Sequence, residues 1–135
     1  LLTLFMQIVF GAFTAGLDAG YAFASWPLMG DALFPAGVPM LTPAWNNAVD
    51  NPIVVQFIHR WLAFAAAGAL IWLAVKVRGP IGGAVAGLVV LQIALGITTL
   101  LSGVEIVVAV GHQANAALLL IATTIAAHKL GSRRA

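Results

Sequence analysis

Four apolar stretches separated by polar breaks run along the chain. Residues 1–16 carry no charge and have only Thr3, Gln7 and Thr14 as polar side chains. A bilayer crossing takes about 20 residues, so this stretch is short for a span. It also lacks the basic flank of a secretory signal, and it reads as a span already under way at Leu1. The texture changes over 17–52, where Asp18, Asp31, Asp50, five prolines and Asn46, Asn47 and Asn51 predict a long loop. Residues 53–75 form the second stretch, interrupted by Gln56, His59 and Arg60 and closed by Lys76, Arg78 and a Gly79-Pro80 break. The third, 81–101, turns at Ser102-Gly103, and the fourth, 105–127, carries His112, Gln113 and Asn115. The pattern predicts an all-α membrane protein, a bundle of four transmembrane helices with 17–52 as its outer loop.

Composition agrees. Of 135 residues 62% are hydrophobic and 7% charged, whereas a soluble domain carries about 25% charged residues. That excludes an ordinary soluble enzyme and a disordered chain, and the lack of cysteine excludes a disulfide scaffold. Six Lys plus Arg against four Asp plus Glu are too few for a nucleic-acid footprint. Their placement says more. Lys76, Arg78, Lys129, Arg133 and Arg134 fall on the side shared by the second turn and the C-terminus, while the long loop has three Asp and no basic residue. The positive-inside rule puts both ends of this segment in the cytoplasm and the loop outside. There Tyr21, Trp26 and Trp45 suit either the interface or loop packing. The apolar start at Leu1, with no Met, reads as a fragment of a longer protein.

Gln7-Ile8-Val9-Phe10-Gly11 in the first stretch matches Gln92-Ile93-Ala94-Leu95-Gly96 in the third, with Thr14 answering to Thr99. Each of these outward segments is followed by an inward one that carries a histidine, His59 or His112. The bundle thus reads as two helix-hairpin repeats. Counted from Pro52 and Val104, the two imidazoles lie roughly 10–12 Å along their helices at 1.5 Å per residue, at one depth. Parallel repeats related by an axis along the membrane normal make them face each other.

An ionisable residue inside a membrane marks a functional site by default. The alternative for each histidine is a neutral imidazole hydrogen-bonded to a neighbouring helix. Zinc wants four ligands, and no cysteine or second carboxylate lies near the pair. Heme iron wants two axial ligands, which two histidines at one depth supply. Arg60 beside His59 suits a heme propionate, or else snorkels to the outer interface. Gln56, one turn before His59, and Gln113, after His112, are placed to orient an imidazole, touch a propionate or bond between helices. Gly83-x-x-x-Gly87 and Ala12-x-x-x-Gly16 allow close helix approach without implying chemistry. His128, among basic residues about 24 Å beyond His112, reads as an interface residue.

Ala15-Gly16-Leu17-Asp18-Ala19-Gly20-Tyr21, Trp26-Pro27-Leu28-Met29-Gly30-Asp31, Gln56-Phe57-Ile58-His59-Arg60, Leu91-Gln92-Ile93-Ala94-Leu95-Gly96-Ile97 and Gly111-His112-Gln113 together resemble the C-terminal half of the heme A synthase family. The resemblance covers the chain from the first stretch to the fourth. It implies an eight-helix protein of two four-helix halves, of which this is one, each with a histidine pair on its second and fourth helices. It further implies oxidation of a methyl group of heme O to the formyl group of heme A. The N-terminal half of such proteins receives the substrate and has a glutamate three residues before its histidine. Here Gln56 stands at that position and cannot ionise, which fits the half that holds heme b as a prosthetic group.

The resemblance therefore implies His59 and His112 as axial ligands of one heme b, with no catalytic residue in this chain and no heme A synthase activity from the segment alone. The implied partners are the N-terminal half, heme O and heme A, membrane lipid, and heme O synthase or terminal oxidase assembly factors, in a bacterial or mitochondrial inner membrane. On this reading the acidic outer loop covers the heme edge, with Trp26 or Trp45 packing nearby. Two other classes compete: a bis-histidine electron-transfer cytochrome of the b561 type, and a small membrane transporter or assembly subunit whose histidines conduct protons or bind a metal ion transiently.

Overall fold

The computed structural model describes residues 1–132. Arg133 and Arg134, counted above among the basic markers, lie outside the described residues. The described residues form α1 (Leu2–Gly16), α2 (Asn47–Asp50), α3 (Pro52–Val77), α4 (Gly79–Leu101) and α5 (Ile106–Gly131), with short 3-10 turns at Ala19–Tyr21 and Ala44–Asn46. Among them there is no strand, only an isolated bridge between Met29 and Ala32. α3, α4 and α5, of 26, 23 and 26 residues, are long and apolar enough to cross a membrane, and α1 is shorter at 15.

Several helix ends have a visible cause. Asn51 caps α3, its side-chain oxygen accepting from the N–H groups of Ile53 and Val54 at 3.1 and 3.4 Å. Pro52 fills the first helical position, where no N–H is needed. One residue, Arg78, separates α3 from α4, in the left-handed region at φ 56° and followed by Gly79 at φ 68°. The hairpin closes so tightly that a Cβ on Gly82 would lie 2.5 Å from the Ala74 carbonyl oxygen. α5 is capped by the Glu105 carboxylate, which accepts from the Val108 N–H at 2.9 Å. It ends with His128 and Lys129 in its last turn, where positive charge meets the negative end of the helix dipole.

α1 packs on α3, α3 on α4 and α5, and α4 on α5. The core gathers Leu70, Leu73, Ala74 and Val77 of α3 with Val85 and Val89 of α4, Leu119, Ala122 and Ala126 of α5, and Leu4 of α1. It occupies the half of the bundle nearer the ends that bear Lys76, Arg78 and Lys129. Outward faces stay apolar: Trp72, Val75, Val90, Leu118, Ile121 and Ile125 are all exposed. Water does not favour such a surface, and hydrocarbon does.

The segment between α1 and α3 is folded rather than a plain loop. It leaves α1 through Asp18, left-handed at φ 51°, a conformation Asp tolerates. The Asn47 side chain bonds the N–H and carbonyl of Leu41 and the carbonyl of Ala44, and Asn51 donates to the Pro39 carbonyl. Trp26 stacks on Phe64 at 6.0 Å and Phe34 meets Phe57 edge-on at 5.1 Å, so Trp26 packs against α3. Trp45 and Tyr21 are exposed. The ends of the two hairpins remote from Lys76 and Lys129 meet where Gly20 lies under Val104, and a Cβ on Gly20 would come within 2.8 Å of the Val104 side chain.

Candidate functional site

Above the apolar core, polar side chains pair across the helices. His59 lies seven residues past the first residue of α3, and His112 six past that of α5. The amide nitrogen of Gln7 on α1 donates to His59 Nδ1 at 3.1 Å and to the His59 carbonyl at 3.2 Å. The amide nitrogen of Gln92 on α4 lies 3.2 Å from His112 Nδ1 and 3.3 Å from its Nε2, and donates to the His112 carbonyl at 3.1 Å. The same device thus occurs in both hairpins. Each amide bridges a histidine ring to the backbone of its own helix.

Glycines make room for these contacts. A Cβ on Gly11 would lie 3.2 Å from His59 Cε1, and one on Gly96 would lie 3.0 Å from His112 Cε1. One turn further, Thr14 and Thr99 return their hydroxyls to the carbonyls of Phe10 and Leu95, each at 2.8 Å. Gln7, Gly11 and Thr14 therefore recur as Gln92, Gly96 and Thr99, at i, i+4 and i+7 along one helical stripe. The sequence displays this stripe as a repeat. It does not reveal that the glutamines hold the histidines, because that requires knowing which helix lies opposite.

The two pairs differ in one respect. Asn115, one turn after His112 and buried, donates to Gln92 Oε1 at 2.6 Å and to the Leu88 carbonyl at 3.0 Å. Leu62 stands at the corresponding place after His59. Gln7 Oε1 is buried with no hydrogen-bond partner among the described residues, and so is Asn115 Oδ1.

Arg60 and Gln56 turn away from the histidines towards the connecting segment. The Arg60 guanidinium is buried, and donates from Nη1 to the carbonyls of Ser25 and Leu28 and from Nη2 to that of Phe23, at 2.8, 3.3 and 2.7 Å. Its Nε is buried without a partner among the described residues. Gln56 donates to the carbonyls of Phe23 and Gly20 at 3.1 and 3.5 Å, and no hydrogen bond joins it to His59. Gln113 is exposed beside His112, and His128 is exposed in the last turn of α5. Among the described residues no three His, Cys, Asp or Glu side chains gather to hold a metal ion. The donors on offer are the two imidazoles, each backed by an amide and a glycine.

Residues 1–124 match the family model COX15-CtaA, described as cytochrome oxidase assembly protein. A heme A synthase of Rhizorhabdus wittichii is 57% identical over 133 residues, which cover 96% of this chain and 38% of that one. Heme A synthases of Sphingopyxis alaskensis and Erythrobacter litoralis are each 45% identical over 136 residues, covering 38% and 40% of their lengths. The chain thus spans well under half the length of these curated relatives. No solved structure matches it.

Proposed function

The chain belongs to the COX15-CtaA family of cytochrome oxidase assembly proteins, and on that premise we propose that it is the heme b-binding half of a heme A synthase. In this reading α1, α3, α4 and α5 cross the inner membrane as a four-helix bundle of two hairpin repeats. They form one half of an eight-helix protein, with residues 17–52 outside and the ends of the segment in the cytoplasm. The whole protein oxidises a methyl group of heme O to the formyl group of heme A, and the other half binds the heme being oxidised.

The observation that carries the reading is the repeated pair, Gln7 with His59 and Gln92 with His112, each seated beside a glycine. These residues fit heme b. Two imidazoles are a donor set that would hold its iron, and Gly11 and Gly96 keep clear the space that a Cβ beside each ring would fill. The unpartnered Arg60 Nε–H is a buried donor suited to a propionate. Gln56 helps Arg60 fasten the outer segment, and Gln113 stands free beside His112 to meet a propionate or the other half.

Heme b with two histidine ligands supplies one-electron transfer and has no open iron position for substrate. The chain's own work is therefore to hold, orient and shield. His59 and His112 would hold the iron from two helices, and the apolar faces of α3 and α5 would exclude water from it. The Arg60 clamp on the carbonyls of Phe23, Ser25 and Leu28 keeps the outer segment closed over the helix ends.

The test is made on the full-length protein, in cells that depend on it for heme A. With His59→Ala or His112→Ala, extracted pigment should contain heme O and little heme A, and residues 1–135 alone should make none. Undiminished heme A with either substitution would sink the proposal.

A further inference from the structure

We infer that Gln7 and Gln92 are positioning residues for the two histidines, and that Asn115 makes the hold on His112 different from that on His59. The inference rests on the ligand assignment above and goes beyond it to the groups that set how each ring is presented. A histidine that gives one ring nitrogen to a metal keeps its proton on the other and donates it to a neighbouring acceptor, which fixes ring orientation and raises ligand basicity. In both hairpins the neighbour of Nδ1 is a glutamine amide.

These amides lie with nitrogen towards the ring, which suits an imidazole whose Nδ1 accepts. With Nε2 given to iron the proton moves to Nδ1, and the amide must present its oxygen. A buried acceptor for this purpose stands idle at His59, because Gln7 Oε1 has no partner. A half-turn of the Gln7 amide lets that oxygen accept the Nδ1 proton, and gives up the bond from the amide nitrogen to the His59 carbonyl.

At His112 the arrangement is longer. Gln92 Oε1 already accepts from Asn115 at 2.6 Å, and the idle acceptor is one step further out, at Asn115 Oδ1. Turning the two amides together lets Gln92 Oε1 take the ring proton while the Gln92 amide nitrogen donates to Asn115 Oδ1, and gives up the bonds that the two amide nitrogens make to the carbonyls of His112 and Leu88. The His112 ring, which now shows both nitrogens to Gln92, must also turn about its Cβ–Cγ bond to offer Nε2. His59 is thus held by a two-residue link and His112 by a three-residue chain. Loss of Asn115 should be felt at one ligand only.

The experiment uses the full-length protein purified with its heme. Its readouts are reduction potential by optical titration, the g values of the low-spin iron by electron paramagnetic resonance, and heme content. Gln7→Leu and Gln92→Leu remove the acceptor, and should raise the potential and loosen heme retention on the order of 10-fold or more. Gln7→Glu and Gln92→Glu offer a stronger acceptor, and should retain heme and lower the potential. Asn115→Leu should move the potential and g values in the direction of Gln92→Leu by a smaller amount.

Heme lost with Leu and kept with Glu supports the inference. Leu and Glu variants that both match the unsubstituted protein overturn it. So do shifts of both in one direction, or equal heme loss from both, since packing alone then explains the result. Failure of the ligand assignment looks different: His59→Ala and His112→Ala proteins would keep the full heme content and the original g values.

Discussion

Gly96→Ala adds one methyl group at the point where α4 passes closest to His112. The new Cβ would lie 3.0 Å from His112 Cε1 and 3.5 Å from Nδ1. Carbon atoms in contact settle at about 3.5–4.0 Å, so the imidazole must retreat by roughly half an ångström or α4 must shift. Overpacking of this kind costs about 1–3 kcal/mol. Alanine returns up to about 1 kcal/mol through its better helix propensity. The net penalty, about 1 kcal/mol from the middle of that range, falls on the ring proposed to meet both Gln92 and the iron. At about 1.4 kcal/mol per factor of ten, heme retention should drop roughly 5-fold. The control is on the same helix: Gly87 has nothing within 4 Å of an added Cβ, and Gly87→Ala should behave like the unsubstituted protein. Both variants of the full-length protein would be purified in detergent, and heme per polypeptide followed during dilution. Equal retention by Gly96→Ala and Gly87→Ala would refute the claim that glycine is there to seat the histidine.

Other sites give independent tests. Asn51→Ala removes the cap of α3 and the tie to the Pro39 carbonyl, and should cost about 1–2 kcal/mol, read as a lower unfolding temperature in detergent. Gly82→Ala sets a methyl group against the backbone oxygen of Ala74 and should destabilise the α3–α4 hairpin by about 1–3 kcal/mol; an unchanged unfolding temperature would show that the helices part easily there. Arg60→Leu leaves the carbonyls of Phe23, Ser25 and Leu28 without their donor, and should expose residues 23–28 to added protease in sealed vesicles of the appropriate orientation. Arg60→Lys should protect only partly, because an ammonium lacks the planar fork that reaches three carbonyls.

The long helices were legible in the sequence because their signal is local. Uninterrupted apolar length needs no knowledge of neighbours, and Asn51-Pro52, Gly79-Pro80 and Ser102-Gly103 mark ends through their own backbone preferences. The outer segment was legible only as a break. Its order comes from donors on α3, and Gln56 and Arg60 read in sequence as companions of His59, since all three share a short run of chain. On the helix Arg60 is turned about 100° from His59, and it points at the connecting segment instead.

The site was legible by half. An imidazole in an apolar stretch stands out from its surroundings, whereas Gln7, Gln92 and Asn115 acquire meaning only when α1 faces α3 and α4 faces α5. Both readings of a histidine in an apolar helix also meet here, because each ring is hydrogen-bonded to a neighbouring helix. That bond is what a structural histidine needs, whereas a ligand needs the same neighbour turned to accept the ring proton.

The central claim is that His59 and His112 together hold one heme b. It is tested most directly by electron paramagnetic resonance of the oxidised full-length protein with the heme site of the other half disabled by substitution of its histidines. The account predicts a low-spin signal of two imidazole ligands that disappears or turns high-spin with His59→Ala and with His112→Ala. A low-spin signal unchanged by either substitution would contradict it.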